Sequence, residues 1–513
     1  MNTRPNILLI TSDQHRADCF GFEGRKVKTP HLDELASAGT RFSACITPNV
    51  VCQPARAAIL TGLLPRTNGV HDNGIDLNPE IGEKGFAGSL AASGYDTAFI
   101  GKAHFATYHT VKPTGTPECT TTSRSIPDSW NGPYMGFEHV ELMMTGHNYF
   151  LPNKPPEGHH YERFFHSGIS GQDRIGQYQK KLPPFSDAAQ TFNSALPVAY
   201  HNTTWVGDRT IEYLRKAAES DDKAPFCLWA SIPDPHHPFD APEPWCHLHN
   251  PDDVDIPQQR TRDLDQRPWW HRASIESEPV GVSEEVKKAR EEFSRIKPQT
   301  DQQLREMTAN YYGMISLIDH NVGRILAALD ETGLADNTIV LFTTDHGELL
   351  GDHGLYLKGP THYEGLLRVG LIAKGPGIPE NKIVSDPVST LDLGATFLDY
   401  AKADSLMNIH GESLRPLIET DDASRAFALN EWDLLPGRVG VDLTLRVVRT
   451  KTHKLTLELN SGAGEMYDLV NDPDEMVNIY NHPEHKAIQE QLTDMINSRP
   501  DDMLPRGTQS GPG

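Results

Sequence analysis

Four short apolar runs in this chain each end in residues that can hold a cation or move a proton. Asp13 and Gln14 follow "NILLIT" (6–11), and Lys102 and His104 follow "YDTAFI" (95–100). His236 follows "FCLWAS" (226–231), and Asp345 and His346 follow "NTIVLFTT" (337–344). Carboxylates, amide oxygens and imidazoles ligate metals. Lysines stabilise negative charge that develops in a reaction, and histidine exchanges protons near neutrality. A further group lies in "NVVCQPARAAILTG" (49–62). Pro54 suits the first turn of a helix and Gly62 its end. Cys52 therefore sits at a helix N-terminus with Arg56 one turn on, an environment that stabilises an anion.

Each group has a plainer reading when taken alone. Asp13 suits a cap or turn, "TDHG" a turn closing a strand, and Lys102 a solvated surface. His104 and His236 suit structural hydrogen bonding, Cys52 a buried thiol and Arg56 a helix surface. The joint placement is more specific. In an open α/β sheet, ligands bind beyond the carboxyl ends of the strands. If the four runs are parallel strands, the four groups meet at one edge.

The runs are short, β-branched and nearly continuous, as strands buried on both faces are. Helical patterns lie between them. "TPHLDELASAG" has Thr29 as N-cap, Pro30 at the first helical position and Gly39 past the end. Residues 311–333 and 389–401 carry helical periodicity. The alternation predicts an α/β domain with a mostly parallel sheet sandwiched by helices. Residues 105–205 and 240–300 read as loop-rich insertions around an active-site rim. After residue 405 the texture changes. Residues 443–459 alternate like exposed antiparallel strands. We expect a catalytic unit over 1–405 and a C-terminal α+β subdomain over 406–513, ending in a flexible tail, "RGTQSGPG".

Bulk composition narrows the function. The 513 residues carry 70 Asp and Glu against 47 Lys and Arg, a net charge of −23. That field disfavours nucleic acid and other polyanions. Six cysteines without paired spacing give neither a disulfide framework nor a zinc motif. The first apolar run is too short for a signal-peptide core, and no stretch reaches a membrane span. We expect a cytoplasmic protein without a membrane contact.

The motif Cys52-Gln53-Pro54-Ala55-Arg56, then Leu60-Thr61-Gly62, resembles the C-x-P-S/A-R…L-T-G signature of the type I sulfatases, in the alkaline-phosphatase superfamily. The resemblance covers nearly the whole chain. "RPNILLITSDQHRAD" resembles the family's first strand and metal ligands, and "GYDTAFIGKAHF" its G-Y-x-T-x-x-x-G-K-x-H block. "DPHHPF" resembles its P-H-x-P-F segment, "TTDHGELLGDHGLYLKG" its second ligand block and "EMYDLVNDPDEMVN" its C-terminal segment. It implies an alkaline-phosphatase-like fold and a sulfuric ester hydrolase.

In such a protein the cysteine is oxidised by a formylglycine-generating enzyme to an aldehyde that hydrates to a geminal diol. Asp13, Gln14, Asp345, His346 and the modified Cys52 would hold one divalent metal. Asp345 would accept the attacking hydroxyl's proton, and Arg56 would stabilise the alkoxide. Lys102 and Lys358 would bind the sulfate oxygens. His236 would protonate the leaving alcohol, and His104 would take the second hydroxyl's proton. Glu364 matches a supporting position. The pairs Asp13-Gln14 and Asp345-His346 depart from the commoner Asp-Asp and Asp-Asn. An imidazole favours manganese, with calcium next. The Gln and His choices resemble phosphonate monoester hydrolases and choline-sulfatases, while Lys102 and His104 match arylsulfatases. The resemblance thus implies a small sulfate ester as substrate, with promiscuity toward phosphonate monoesters and phosphate diesters. The alternatives are a phosphonate monoester hydrolase or phosphodiesterase, and an inactive metal-binding relative. His71, Asn73 and His237 are candidates for lining the pocket or for plain loop roles. A homodimer is expected on general frequency.

Overall fold

The computed structural model describes residues 4–108, 113–144, 151–168, 171–220, 224–284, 287–288, 291 and 297–511. Parts of both expected insertions, and the last two residues of the expected tail, lie outside these.

The four apolar runs form neighbouring strands of one eight-stranded sheet. They are β1 (Asn6–Ser12), β3 (Asp96–Lys102), β5 (Phe226–Ser231) and β6 (Thr338–Thr344). The others are β2 (Thr40–Phe42), β4 (His139–Met143), β7 (Leu371–Lys374) and β8 (Lys382–Val384). The order is β8-β2-β7-β6-β1-β5-β3-β4. β6, β1, β5, β3 and β4 run parallel to one another, and β7 is antiparallel to both of its neighbours, β6 and β2. Ser12 pairs with Thr344, and Ser231 with both Thr11 and Gly101. The carboxyl ends of the four central strands are therefore level within a residue, and whatever follows them must share one edge.

Both faces of the sheet are covered, which is why its strands read as continuous apolar runs. Ile7 and Leu9 join a core with α2 (Cys52–Thr61), α3 (Phe86–Ala92) and α6 (Leu393–Ala401). Leu8 and Ile10 face the opposite core, with α1 (Pro30–Ser37), α4 (Asn202–Glu219) and α5 (Asp301–Glu331). α5 is 31 residues long and begins ten residues before its expected start, at a capping box formed by Thr300 and Gln303. Thr29 precedes α1 as expected, but its hydroxyl donates to Asp33 and accepts the Gly21 N–H instead of capping an N–H of the helix. The expected insertion over 105–205 also contributes β4, the edge strand of the sheet.

A second sheet runs β9 (Phe427–Leu434), β10 (Leu443–Thr450), β11 (His453–Glu458), β12 (Gly464–Asp468), all antiparallel. The expectation of exposed strands fails here. Leu443, Leu445 and Val447 pack with Val50, Val51 and Trp270 of the main body, while Val448 and Leu455 pack under α7 (Lys486–Asn497). With both faces covered, the sheet acts as a brace rather than a solvent-facing layer. Asn49 and Glu431 add polar ties: Asn49 Nδ2 donates to the Glu431 carbonyl at 2.7 Å, and the Glu431 N–H to the Pro48 carbonyl at 3.0 Å. The tail is also docked, against the expectation of flexibility. Gly507 N–H donates to His71 Nε2 at 2.9 Å, and Ser510 N–H to the Gly74 carbonyl at 2.6 Å.

Glu465 on β12 is buried against His271, Tyr467 and Lys454. Burial pushes its carboxyl up, but these partners outweigh it and hold it down at about 2. A depressed carboxyl stabilises the fold above its unfolded value of about 4.3, and the contribution is lost as pH falls toward 2. The stability gap between the parent and Glu465→Gln is therefore expected to shrink by about 1 kcal/mol between pH 5.5 and 3.5 in urea unfolding. A gap that does not change with pH would refute this.

Among the described residues no helix is long and apolar enough to cross a membrane.

Candidate active site

The level strand ends bring the expected residues together. β1 leads into Asp13 and then Gln14, which is held at φ 62°. β6 leads into Asp345 and His346. β3 ends at Lys102, preceded by Gly101 at φ 116°, where an added Cβ would meet the Ser231 carbonyl oxygen at 1.9 Å. Only glycine lets β3 and β5 close to this distance, and Lys102 is placed by that approach. α2 begins at Cys52, with Asn73 Oδ1 accepting the Gln53 N–H at 3.0 Å and Gly62 ending the helix at φ 66°. Asn73 is thus a support of the helix start, and His71 anchors the tail; neither is shown as a pocket wall.

Oxygen, nitrogen and sulfur atoms of Asp13, Cys52, Asp345 and His346 lie within 4.8 Å of one another, all buried. Cys52 Sγ is 3.6 Å from Asp13 Oδ1, 3.1 Å from His346 Nε2 and 3.0 Å from Lys358 Nζ. Arg56 lies behind this cup. Its guanidinium donates to Asp345 Oδ2 (2.8 Å), Asp13 Oδ2 (3.2 Å), the Lys102 carbonyl (2.7 Å) and Ser231 Oγ (2.8 Å). Lys102 Nζ also donates to Asp13 Oδ2, at 2.6 Å. The rear oxygens of both carboxylates are thereby engaged, leaving Asp13 Oδ1 facing the thiol. Asp345 Oδ1 accepts the backbone N–H groups of Gln14 and His346. His346 Nδ1 lies 2.9 Å from the Gly347 carbonyl, so the proton sits on Nδ1 and the Nε2 lone pair points into the cup.

This donor set fits a divalent ion. Ligands on opposite sides of such an ion lie roughly 4–5 Å apart, and two carboxylates, an imidazole and residue 52 converge at that spacing. Gln14 is tied to the cup through its backbone. Its carboxamide is held by Glu348, which accepts from Nε2, and by His237, whose Nδ1 is 2.9 Å from Nε2 and 3.1 Å from Oε1. His237 therefore braces Gln14.

Electrostatics follow from the same contacts. Burial would raise the Asp13 carboxyl, but Lys102, Arg56 and Lys358 hold it well below the usual range. Burial and Asp13 push the Cys52 thiol up; Lys358 and Lys102 prevail and leave it lowered. His104 follows β3 at φ 53°. Burial, then the charges of Lys102 and Arg56, depress its imidazole well below the usual value, so it stays neutral. His236 is stacked on His237, and Lys358 Nζ bridges its Nε2 to Cys52 Sγ, both at 3.0 Å. His236 Nδ1 lies 2.5 Å from the His237 carbonyl, which leaves Nε2 as the nitrogen facing Lys358. Glu364 lies elsewhere, paired with Arg449 and Lys454 beneath the second sheet.

Ser231 and Glu348 were not anticipated. The signal for Ser231 was its place as the last residue of a strand. For Glu348 it was a carboxylate three residues after Asp345.

Comparison with known proteins agrees with this geometry. The family model "Sulfatase" matches residues 5–403, and one described as "N-sulphoglucosamine sulphohydrolase, C-terminal" matches 351–501. An arylsulfatase of Clostridium perfringens is 29% identical over 503 residues, covering 94% of this chain and 92% of its own. The multifunctional alkaline phosphatase superfamily protein PehA of Trinickia caryophylli is 30% identical, covering 81% and 77%. The phosphonate monoester hydrolase of Agrobacterium radiobacter superposes with a TM-score of 0.74 at 24% identity, covering 96% and 95%. That similarity speaks to the fold alone. With the model matching most of its length and the signature cysteine seated in a buried ligand cup, the chain belongs to the sulfatase family.

Proposed function

We propose that this protein hydrolyses small sulfate monoesters at the Cys52 cup, with residues 1–405 as catalytic unit and 406–513 as a C-terminal subdomain. The observation that carries this is the thiol of Cys52 held between two carboxylates, an imidazole and three cations. Oxidation of Cys52 to formylglycine, by a formylglycine-generating enzyme, would supply a hydrated aldehyde: one hydroxyl to attack sulfur and a second to release sulfate. A divalent ion held by Asp13, Gln14, Asp345, His346 and residue 52 would polarise the ester oxygen and acidify that hydroxyl.

The remaining work falls to side chains. Lys102 and Lys358 bind the charged oxygens, and Arg56 holds both carboxylates in register while stabilising negative charge on residue 52. Asp345 accepts the first proton. His236 Nε2, at the more exposed side, delivers one to the leaving alcohol. His104, kept neutral, takes the proton of the second hydroxyl. The imidazole ligand favours manganese, then calcium. We also propose a homodimer.

A second reading, phosphonate monoester or phosphodiester hydrolysis as main activity, draws support from the Gln14 and His346 choices and from the relative whose name is multifunctional. The test compares kcat/KM for an aryl sulfate and an aryl phosphonate monoester after chelation and reloading with Mn²⁺ or Ca²⁺. We expect metal-dependent turnover of both, with the sulfate preferred. Phosphonate turnover alone would establish the second reading, and no turnover of either with an oxidised residue 52 would defeat both.

A further inference from the structure

Glu118 lies in the insertion expected over residues 105–205. It is 2% exposed. Its Oε1 accepts the N–H of Phe105 at 2.9 Å, the N–H of Ala106 at 3.2 Å and the Tyr134 hydroxyl at 2.8 Å. The His104 N–H also lies close enough to lower the carboxyl. Successive amides of one turn thus converge on a single carboxylate, and no cation is among the groups that shift it in the described residues. Oε2 is buried without a hydrogen-bond partner there. Such an arrangement costs desolvation and persists where a backbone conformation needs it.

The turn it gathers is the one that carries His104. At φ 53° this residue is in the left-handed region, which a side chain with a Cβ occupies at a cost of about 1–2 kcal/mol. The other ties on the turn lead back to the active helix. Gln53, beside Cys52, donates through Nε2 to the Phe105 carbonyl at 3.5 Å and to the Ile75 carbonyl at 2.7 Å. Asp76 Oδ1 accepts the Thr107 N–H at 2.8 Å. Tyr108 stacks on the His104 ring with centroids 4.6 Å apart. His104 is within electrostatic reach of Lys102, Arg56, Asp13 and Lys358.

We infer that Glu118 is a positioning residue: through Oε1 it fixes the left-handed turn after Lys102 and so aims the His104 imidazole at the Cys52 cup. The effect on turnover rests on the sulfatase reading; the effect on the ring does not. Burial pushes the Glu118 carboxyl up to about 7 against the N–H and Tyr134 bonds that lower it, so much of it is neutral at pH 7. An amide oxygen can then serve in its place.

The experiment is a double-mutant cycle with Glu118→Leu, Glu118→Gln and His104→Gln. Glu118→Leu is expected to lower kcat roughly 10- to 100-fold with KM within about threefold, and Glu118→Gln to stay within about threefold of the parent. In the His104→Gln background, Glu118→Leu should cost less than about twofold more, because both changes remove one function. A full additional loss there, or a Glu118→Leu protein as active as the parent, overturns the proposal. Should Glu118→Leu not fold, Glu118→Met carries the same arms. If the parent turns over neither ester, the sulfatase reading has failed, and histidine-labelled NMR decides the positioning by itself. The His104 ring signals, assigned by their loss in His104→Gln, should shift in Glu118→Leu and not in Glu118→Gln; signals that do not move overturn it.

Discussion

Cys52→Ser protein is expected to turn over an aryl sulfate at least roughly 10³-fold more slowly than the parent, a loss of about 4 kcal/mol of transition-state stabilisation. The reason is chemical rather than steric, since a hydroxyl and a thiol differ little in size. A serine hydroxyl could form a sulfate ester, but water would then have to hydrolyse it in a cup whose walls are buried. Two oxygens on the carbon of residue 52, as the proposed formylglycine diol would carry, would remove that need. The matching measurement is mass spectrometry of the tryptic peptide Phe42–Arg56 from native material. The parent peptide should have lost sulfur and gained oxygen, and a hydrazine should trap it; the Cys52→Ser peptide should do neither. A parent that is active with an intact thiol would falsify the proposed nucleophile and leave a metal-assisted phosphoesterase as the better account.

Arg56→Ala is expected to cost stability as well as rate. The guanidinium is fully buried and binds Asp13, Asp345, Ser231 and the Lys102 carbonyl at once. Removing one partner of a buried charge network typically costs about 3–5 kcal/mol, because the remaining charges stay buried without compensation. Arg56→Lys should recover only part of this, since an ammonium cannot span four acceptors as the planar fork does. Denaturant unfolding of metal-free and metal-loaded protein checks the argument. The loss should be smaller with metal bound, because a divalent ion offsets the same two carboxylates. An Arg56→Ala protein as stable as the parent in the metal-free state would show that the network contributes nothing to the fold.

Cys52 and Arg56 were legible from the Pro54 and Gly62 that bound their helix; the other legible parts of this site share one property. Each follows a strand whose apolar run marks its own end, so Asp13, Lys102, His236 and Asp345 could be placed at one edge once the strands were taken as parallel. Their supports could not be read this way. Ser231 matters because β3 and β5 approach closely at Gly101, and Glu118 because a distant turn folds back onto it. Both depend on tertiary placement, not on local pattern. The second sheet shows the limit of periodicity: its alternation was real, but the face taken for solvent-exposed is covered by α7. The early start of α5 was recoverable, since Thr300 and Gln303 have capping-box spacing. Docking of the tail carried no such signal.

The brace formed by the second sheet has a consequence for how the chain matures. Val50 and Val51, which lead into α2, pack against β10, and Asn49 is tied to β9. On the ribosome, β9 is made about 375 residues after Cys52. At roughly 5–20 residues per second, the cysteine exists for about 20–75 s before that cover is synthesised. If the proposed oxidation of Cys52 needs residues 49–62 free of this cover, the order in which the chain is synthesised and closed would set the interval open to it.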